Sequence, residues 1–148
     1  MDTIPDVTAA GADGAPVRLH DLPRPLVVYF YPKDDTPGCT REAQDFSALS
    51  DEFAAAGVGV LGVSRDTVAK HARFRDKHAL TVTLASDLDG SVTEAFGVWG
   101  EKQLYGKTYM GIERATFLFD REAKLVHVWR KVKVPGHAAA VLDAAKAL

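Results

Sequence analysis

The chain has 148 residues, 47% of them apolar, a net charge of −2 and one cysteine. That length fits a single domain over residues 1–148 that buries roughly two-thirds of the unfolded chain's surface, so no disulfide or metal staple is required. The charge offers no basic field for nucleic acid or anionic membrane, no window approaches the run of about eighteen apolar residues that spans a bilayer, and one thiol excludes an internal disulfide framework and fits a reducing, cytoplasmic setting.

The N-terminal "MDTIPDVTAAGADG" has neither a basic start nor an apolar run, so no signal peptide is expected. "DVTAAGADGAPVRL" reads as two short strands around a Gly-rich turn, an N-terminal β-hairpin. "PLVVYFYP" is a continuous run of β-branched and aromatic residues, as a buried central strand requires. Ala43, Phe46, Leu49 and Phe53 then recur at three- and four-residue steps, one face of an amphipathic helix stopped near Gly57. "VGVLGV" is a second buried strand, completing a βαβ unit with a right-handed crossover.

A second helix is expected over "TVAKHARFRDKHA", a strand at "VTLAS" and a short helix near "SVTEAFG". "VWGEKQLYGKTYMGIER" reads as an irregular Gly-containing loop. "ATFLFD" and "KLVHVWR" flank "REA" as an antiparallel hairpin, and "GHAAAVLDAAKAL" closes the chain as an Ala-rich helix. The order predicts an α/β fold: a mixed central sheet flanked by helices on both faces.

The lone thiol sits in "YPKDDTPGCTREAQDF". Thr36 suits a helix N-cap and Pro37 the first helical position. Cys39 then falls third in the first turn, where the Thr36 hydroxyl would accept its N–H and the helix dipole favours a thiolate. Just past the end of a buried strand is also where ligands bind in open α/β sheets. Two observations pull the other way. A lone Cys often serves as a small buried hydrophobe, and Asp34 and Asp35 would disfavour a thiolate beside them by like-charge repulsion.

"FYPKDDTPGCTREAQDF" resembles the active-site segment of the peroxiredoxins, and within them the Q-type or bacterioferritin comigratory branch. Pro32, Thr36 and Cys39 match that family's Pro-x-x-x-Thr-x-x-Cys motif. "YGKTYMGIERATFLFD" resembles its second signature, with Arg114 at the position of the catalytic arginine, and "VWRKVKVPGHAAAVL" its C-terminal end. The resemblance spans nearly the whole chain. It implies a thioredoxin-like fold and thiol-dependent reduction of hydrogen peroxide and organic hydroperoxides. It also implies catalytic roles for Cys39, Thr36 and Arg114, with Pro32 and Gly38 at the substrate.

In the implied reaction the Cys39 thiolate attacks one peroxide oxygen and becomes a sulfenic acid. Thiolate formation alone does not make a good peroxidase. Bringing a thiol from a pKa of ~8.5 to ~6 raises its thiolate fraction at neutral pH about 30-fold, while a Brønsted slope of ~0.4–0.5 weakens its nucleophilicity roughly 10- to 20-fold. The rest must come from donors placed where charge develops as the O–O bond stretches. The Thr36 hydroxyl, the Cys39 N–H and the Arg114 guanidinium are the candidates, and the Pro32 ring would shield the sulfur from water.

Many Q-type members carry a resolving cysteine five positions after the reactive one, where this chain has Gln44. A one-cysteine variant is therefore expected, its sulfenic acid reduced by an external thiol: thioredoxin, glutaredoxin or a low-molecular-weight thiol. The alternative is a redox sensor whose oxidised Cys39 signals to a partner without sustained turnover. A thioredoxin-type oxidoreductase needs Cys-x-x-Cys, which the chain lacks.

Glu42, one turn below Cys39, reads as a surface salt-bridge partner of Arg41. Trp99, Tyr105, Tyr109 and Met110 either pack or wall a pocket for an alkyl peroxide. The five histidines show no zinc-like spacing; His71 and His78, seven apart on one helix, do not make a metal site, and no metal or cofactor is assigned. Nothing in the composition demands a dimer, so a monomer is expected.

Overall fold

The computed structural model describes residues 1–148. The expected N-terminal hairpin forms: β1 (Thr8–Gly11) and β2 (Pro16–Arg18) pair antiparallel. The apolar run becomes β3 (Leu26–Phe30), buried at every residue. β4 (Gly59–Ser64) lies parallel beside it, and β5 (Thr83–Ser86) parallel beside β4. On its other side β3 pairs antiparallel with β8 (Ala115–Phe119), which pairs antiparallel with β9 (Leu125–Trp129). β1 joins the far edge of β5, so the hairpin is part of one seven-stranded sheet, ordered β2-β1-β5-β4-β3-β8-β9.

Side chains alternate across β3 and so build two cores. Leu26, Val28 and Phe30 pack on one face with Val92 and Phe96 from α4 (Ser91–Ala95) and its C-cap. Val27 and Tyr29 pack on the other with Phe46 of α1 (Pro37–Ala48), Phe53 of α2 (Ser50–Ala55), Phe74 of α3 (Val68–His78) and Val141 of α5 (His137–Lys146). Helices cover both faces, as expected, but unequally.

Two expectations are corrected. The single helix running from Thr36 toward Gly57 is broken at Leu49, whose ψ of 7° leaves the helical range. The break is tied to the segment that follows α3, where Thr81 Oγ1 donates to the Ser47 carbonyl at 3.1 Å. Ser47 Oγ accepts the N–H groups of Thr81 and Val82, each at 3.1 Å, and Ser50 Oγ meets Thr81 Oγ1 at 2.7 Å. The segment read as an irregular loop is an ordered hairpin, β6 (Trp99–Leu104) with β7 (Lys107–Ile112), a separate two-stranded sheet. Its turn is Tyr105-Gly106, with φ of 51° and 76°. Two successive positive φ values match the right-handed twist of the flanking strands.

Candidate active site

β3 delivers the chain to Tyr31, and a short loop turns into α1. Thr36 is the N-cap residue in extended conformation, with Pro37 opening the helix and Cys39 third. The cap itself is not made as expected. The Thr36 hydroxyl donates to the Lys33 carbonyl at 2.9 Å, and α1 has no side-chain cap. The Cys39 N–H is therefore not taken up by Thr36. With its proton committed to Lys33, the Thr36 oxygen is left to act as a hydrogen-bond acceptor rather than a donor.

Cys39 is 2% exposed and packs with Tyr29, Tyr31, Ala43 and Phe46. The apolar-filler reading is half right: the thiol is buried, yet it holds a charged partner. Arg114, between β7 and β8, donates from Nη2 to Cys39 Sγ at 3.3 Å and from Nη1 to Glu42 Oε1 at 2.6 Å. Gly38 lies against that guanidinium: an added Cβ would stand 3.2 Å from Nη2. Pro32 is exposed, just past β3.

Glu42 corrects the surface reading. It is 1% exposed, while Arg41 pairs with Asp45 at 3.1 Å. Cys39, Glu42, Ala43 and Phe46 form the buried stripe of α1. The three-residue step from Cys39 to Glu42 was the available signal, because it puts both groups on one helix face. Burial pushes the Glu42 carboxyl up to about 7; Arg114 pulls it down without cancelling this, and Asp45 adds to the rise. Its second oxygen, Oε2, is buried without a partner. Burial likewise drives down the Arg114 pKa, but the charges of Glu42 and Cys39 outweigh it and raise the guanidinium overall.

Asp34 and Asp35 do not face the sulfur as free charges, contrary to expectation. Asp34 accepts the Tyr31 hydroxyl at 2.6 Å and meets His71 Nδ1 at 2.5 Å, and its N–H donates to Asp66 at 2.8 Å. Asp35 holds Lys77 and His78, each at 2.7 Å. Both aspartates thus fasten the active-site loop to α3. Asp34, Asp66 and His71 come together like metal ligands, but His71 faces Asp34 with one ring nitrogen and the Ala85 carbonyl with the other, at 3.1 Å. Both ring nitrogens of His71 are thus engaged within the protein.

The aromatic wall is dispersed. Trp99 sits at the base of the β6–β7 hairpin under Arg65, 3.5 Å from its ring centroid, while Tyr105 at the tip is 95% exposed. Tyr109 and Met110 are about half exposed and alternate in register, Met110 opposite Glu101 and Tyr109 opposite Lys102. Lys102 was not anticipated. Its stem crosses Gly111, where an added Cβ would stand 2.8 Å from Cδ, and its Nζ donates to the Ile112 carbonyl at 2.8 Å. Burial lowers its pKa, the Arg114 charge lowers it further, and the negative charges of Cys39 and Glu113 oppose both.

The chain is similar to known proteins over most of its length. The AhpC/TSA family model matches residues 1–128. The peroxiredoxin Bcp of Xanthomonas campestris is 56% identical over 122 residues, 82% of this chain and 76% of that protein. The peroxiredoxin Bcp of Bacillus subtilis is 47% identical over 143 residues, 96% of this chain and 91% of that one. A solved structure of Xanthomonas campestris bacterioferritin comigratory protein, from work on its alkyl peroxide reduction activity, superposes with a TM-score of 0.88 at 48% identity, covering 96% of this chain and 91% of that one. With a thioredoxin-like fold, a thiol held by an arginine at a helix entrance and relatives this near, the chain belongs to the AhpC/TSA family, on its Bcp or Q-type peroxiredoxin branch, and is a thiol peroxidase.

Proposed function

We propose that Cys39 is the peroxide-reactive thiol of a one-cysteine cycle in a single domain. The observation that carries this is the Arg114 guanidinium, bonded at once to Cys39 Sγ and to the buried Glu42. The substrates are hydrogen peroxide and organic hydroperoxides. The thiolate attacks the terminal oxygen in line with the O–O bond. An S–O bond forms, the O–O bond breaks, and the electron pair leaves on the alkoxide or hydroxide, which takes a proton.

The Thr36 oxygen accepts the peroxide hydrogen and so fixes which oxygen meets the sulfur. Arg114 and the Cys39 N–H stabilise the charge spreading over both oxygens. Gly38, lacking a Cβ, lets the guanidinium reach the sulfur, and Pro32 borders the entrance. Stopped-flow oxidation of Cys39 tests these roles: Arg114→Ala and Thr36→Val should each slow it by about 100-fold or more, as loss of a prepositioned group does. Rates within a few-fold of wild type would remove those residues from the mechanism.

The chain has no second cysteine, so resolution falls to an outside thiol, a redoxin or a low-molecular-weight thiol. We place the enzyme in the cytoplasm as a monomer, supported by its single free thiol and its bacterial relatives. Mass spectrometry after one equivalent of peroxide and a small thiol should find the adduct on Cys39. Recovery of activity with no external thiol consumed would refute this cycle.

A further inference from the structure

Arg114 is the one cation bonded to either Cys39 or Glu42, and it is bonded to both. Two acids buried to 2% and 1% exposure share that single charge. If both were ionised, the pair would hold a net negative charge away from water, which is costly. The bare Oε2 of Glu42 agrees, because a buried carboxylate oxygen demands donors and this one has none.

We propose that Glu42 is a charge-compensating residue: it carries a proton while Cys39 is a thiolate and releases it when the sulfur becomes a sulfenic acid. Glu42 does not touch the peroxide; it acts through Arg114, as a positioning residue. The balance closes. Thiolate plus hydroperoxide gives sulfenic acid plus alkoxide, the sulfur losing two electrons and the peroxide gaining them. The oxidised sulfur is neutral, so Arg114 turns wholly to Glu42, which ionises. The proton it gives up matches the one the alkoxide takes to become an alcohol. When an external thiol restores Cys39–SH, the thiol proton returns to Glu42 and the thiolate is ready again.

The surrounding groups are consistent with this exchange. Asp45 is held by Arg41, and its charge favours the protonated form of Glu42. The Tyr29 hydroxyl from β3 is kept neutral, pushed up by burial and then by Glu42 and Cys39. His137 from α5, bonded to Thr116 Oγ1 at 2.8 Å, is pushed down to about 4 by burial and then by Arg114, so it is uncharged at neutral pH. Lys102 from β6 bears on Arg114 and Cys39 but bonds the Ile112 carbonyl. Burial pushes the Glu42 carboxyl up to about 7, which places its exchange near neutral pH.

Infrared difference spectroscopy of the whole protein at neutral pH, before and after one equivalent of hydrogen peroxide, tests this. One protonated-carboxyl band should lose intensity on oxidation as a carboxylate band gains it, and Glu42→Gln should lack both changes. Cys39→Ser replaces the sulfur with a neutral hydroxyl and keeps the packing. It removes the competing anion, so its protonated-carboxyl band should be clearly weaker than that of the reduced wild type even without peroxide, which secures the assignment if Glu42→Gln does not fold. A band unchanged by oxidation, as strong in Cys39→Ser as in the reduced wild type, or missing from the reduced wild type overturns the proposal. The inference rests on Cys39 being the reactive thiol. Failure of that reading would show as peroxide consumed with no sulfenic acid on Cys39, a result distinct from sulfenic acid formed with the carboxyl band unmoved.

Discussion

At the scale of single residues, Glu42 links protonation to stability. Its carboxyl is raised to about 7, so the native state holds a proton that the unfolded chain gives up near the ordinary carboxylate value. The stability this confers is fully present below the unfolded value and is lost as pH rises toward 7. For a side chain only 1% exposed, the span amounts to on the order of 3 kcal/mol. Urea melts across that range should find Glu42→Gln gaining on wild type by about that much as pH rises. A difference between the two that stays flat with pH would mean Glu42 titrates as an ordinary exposed carboxylate does. Glu42 was passed over as a site residue despite its three-residue step from Cys39, because an acid beside an arginine in sequence reads as a surface pair and only the fold brings Arg114 across from 72 positions away.

Among the elements, α1 carries Cys39 and should not move when that thiol is oxidised. A disulfide between residues five apart on a helix would require unwinding, and this chain has Gln44 where a resolving cysteine would stand. Hydrogen exchange should therefore find α1 amides equally protected before and after oxidation; a large loss of protection would show that the helix opens despite lacking a disulfide to form. The strands and helices with strong apolar patterning, from β3 to α5, were legible from periodicity alone. The β6–β7 hairpin was not. Glu101, Lys102, Gln103, Lys107 and Thr108 give it no apolar alternation, and Tyr105 is an unusual residue for a turn position with positive φ. The break at Leu49 escaped notice for a related reason: the apolar stripe continues across it, and the groups that tie it down belong to Thr81 and Val82, distant in sequence.

For the molecule as a whole, β3 is the strand that joins the two cores. It feeds two cores through alternate residues and aims its end at the active-site loop. Phe30 packs against Phe96 and Phe117 with no exposure, so Phe30→Ala should destabilise the fold by about 3–5 kcal/mol. That is a large share of the ~5–15 kcal/mol typical of a domain, and it should appear as a lower urea midpoint with an unchanged slope. The sheet order could be anticipated in outline, with parallel strands in the middle and an antiparallel pair at one edge. That β1 closes the opposite edge beside β5 depends on long-range pairing that no local pattern encodes.

The near-complete enclosure of Cys39 carries a further consequence. With so little of the sulfur open to solvent, access joins intrinsic reactivity in deciding which reagents meet it, and a bulky alkylating probe should modify Cys39 more slowly than a slim one of equal reactivity.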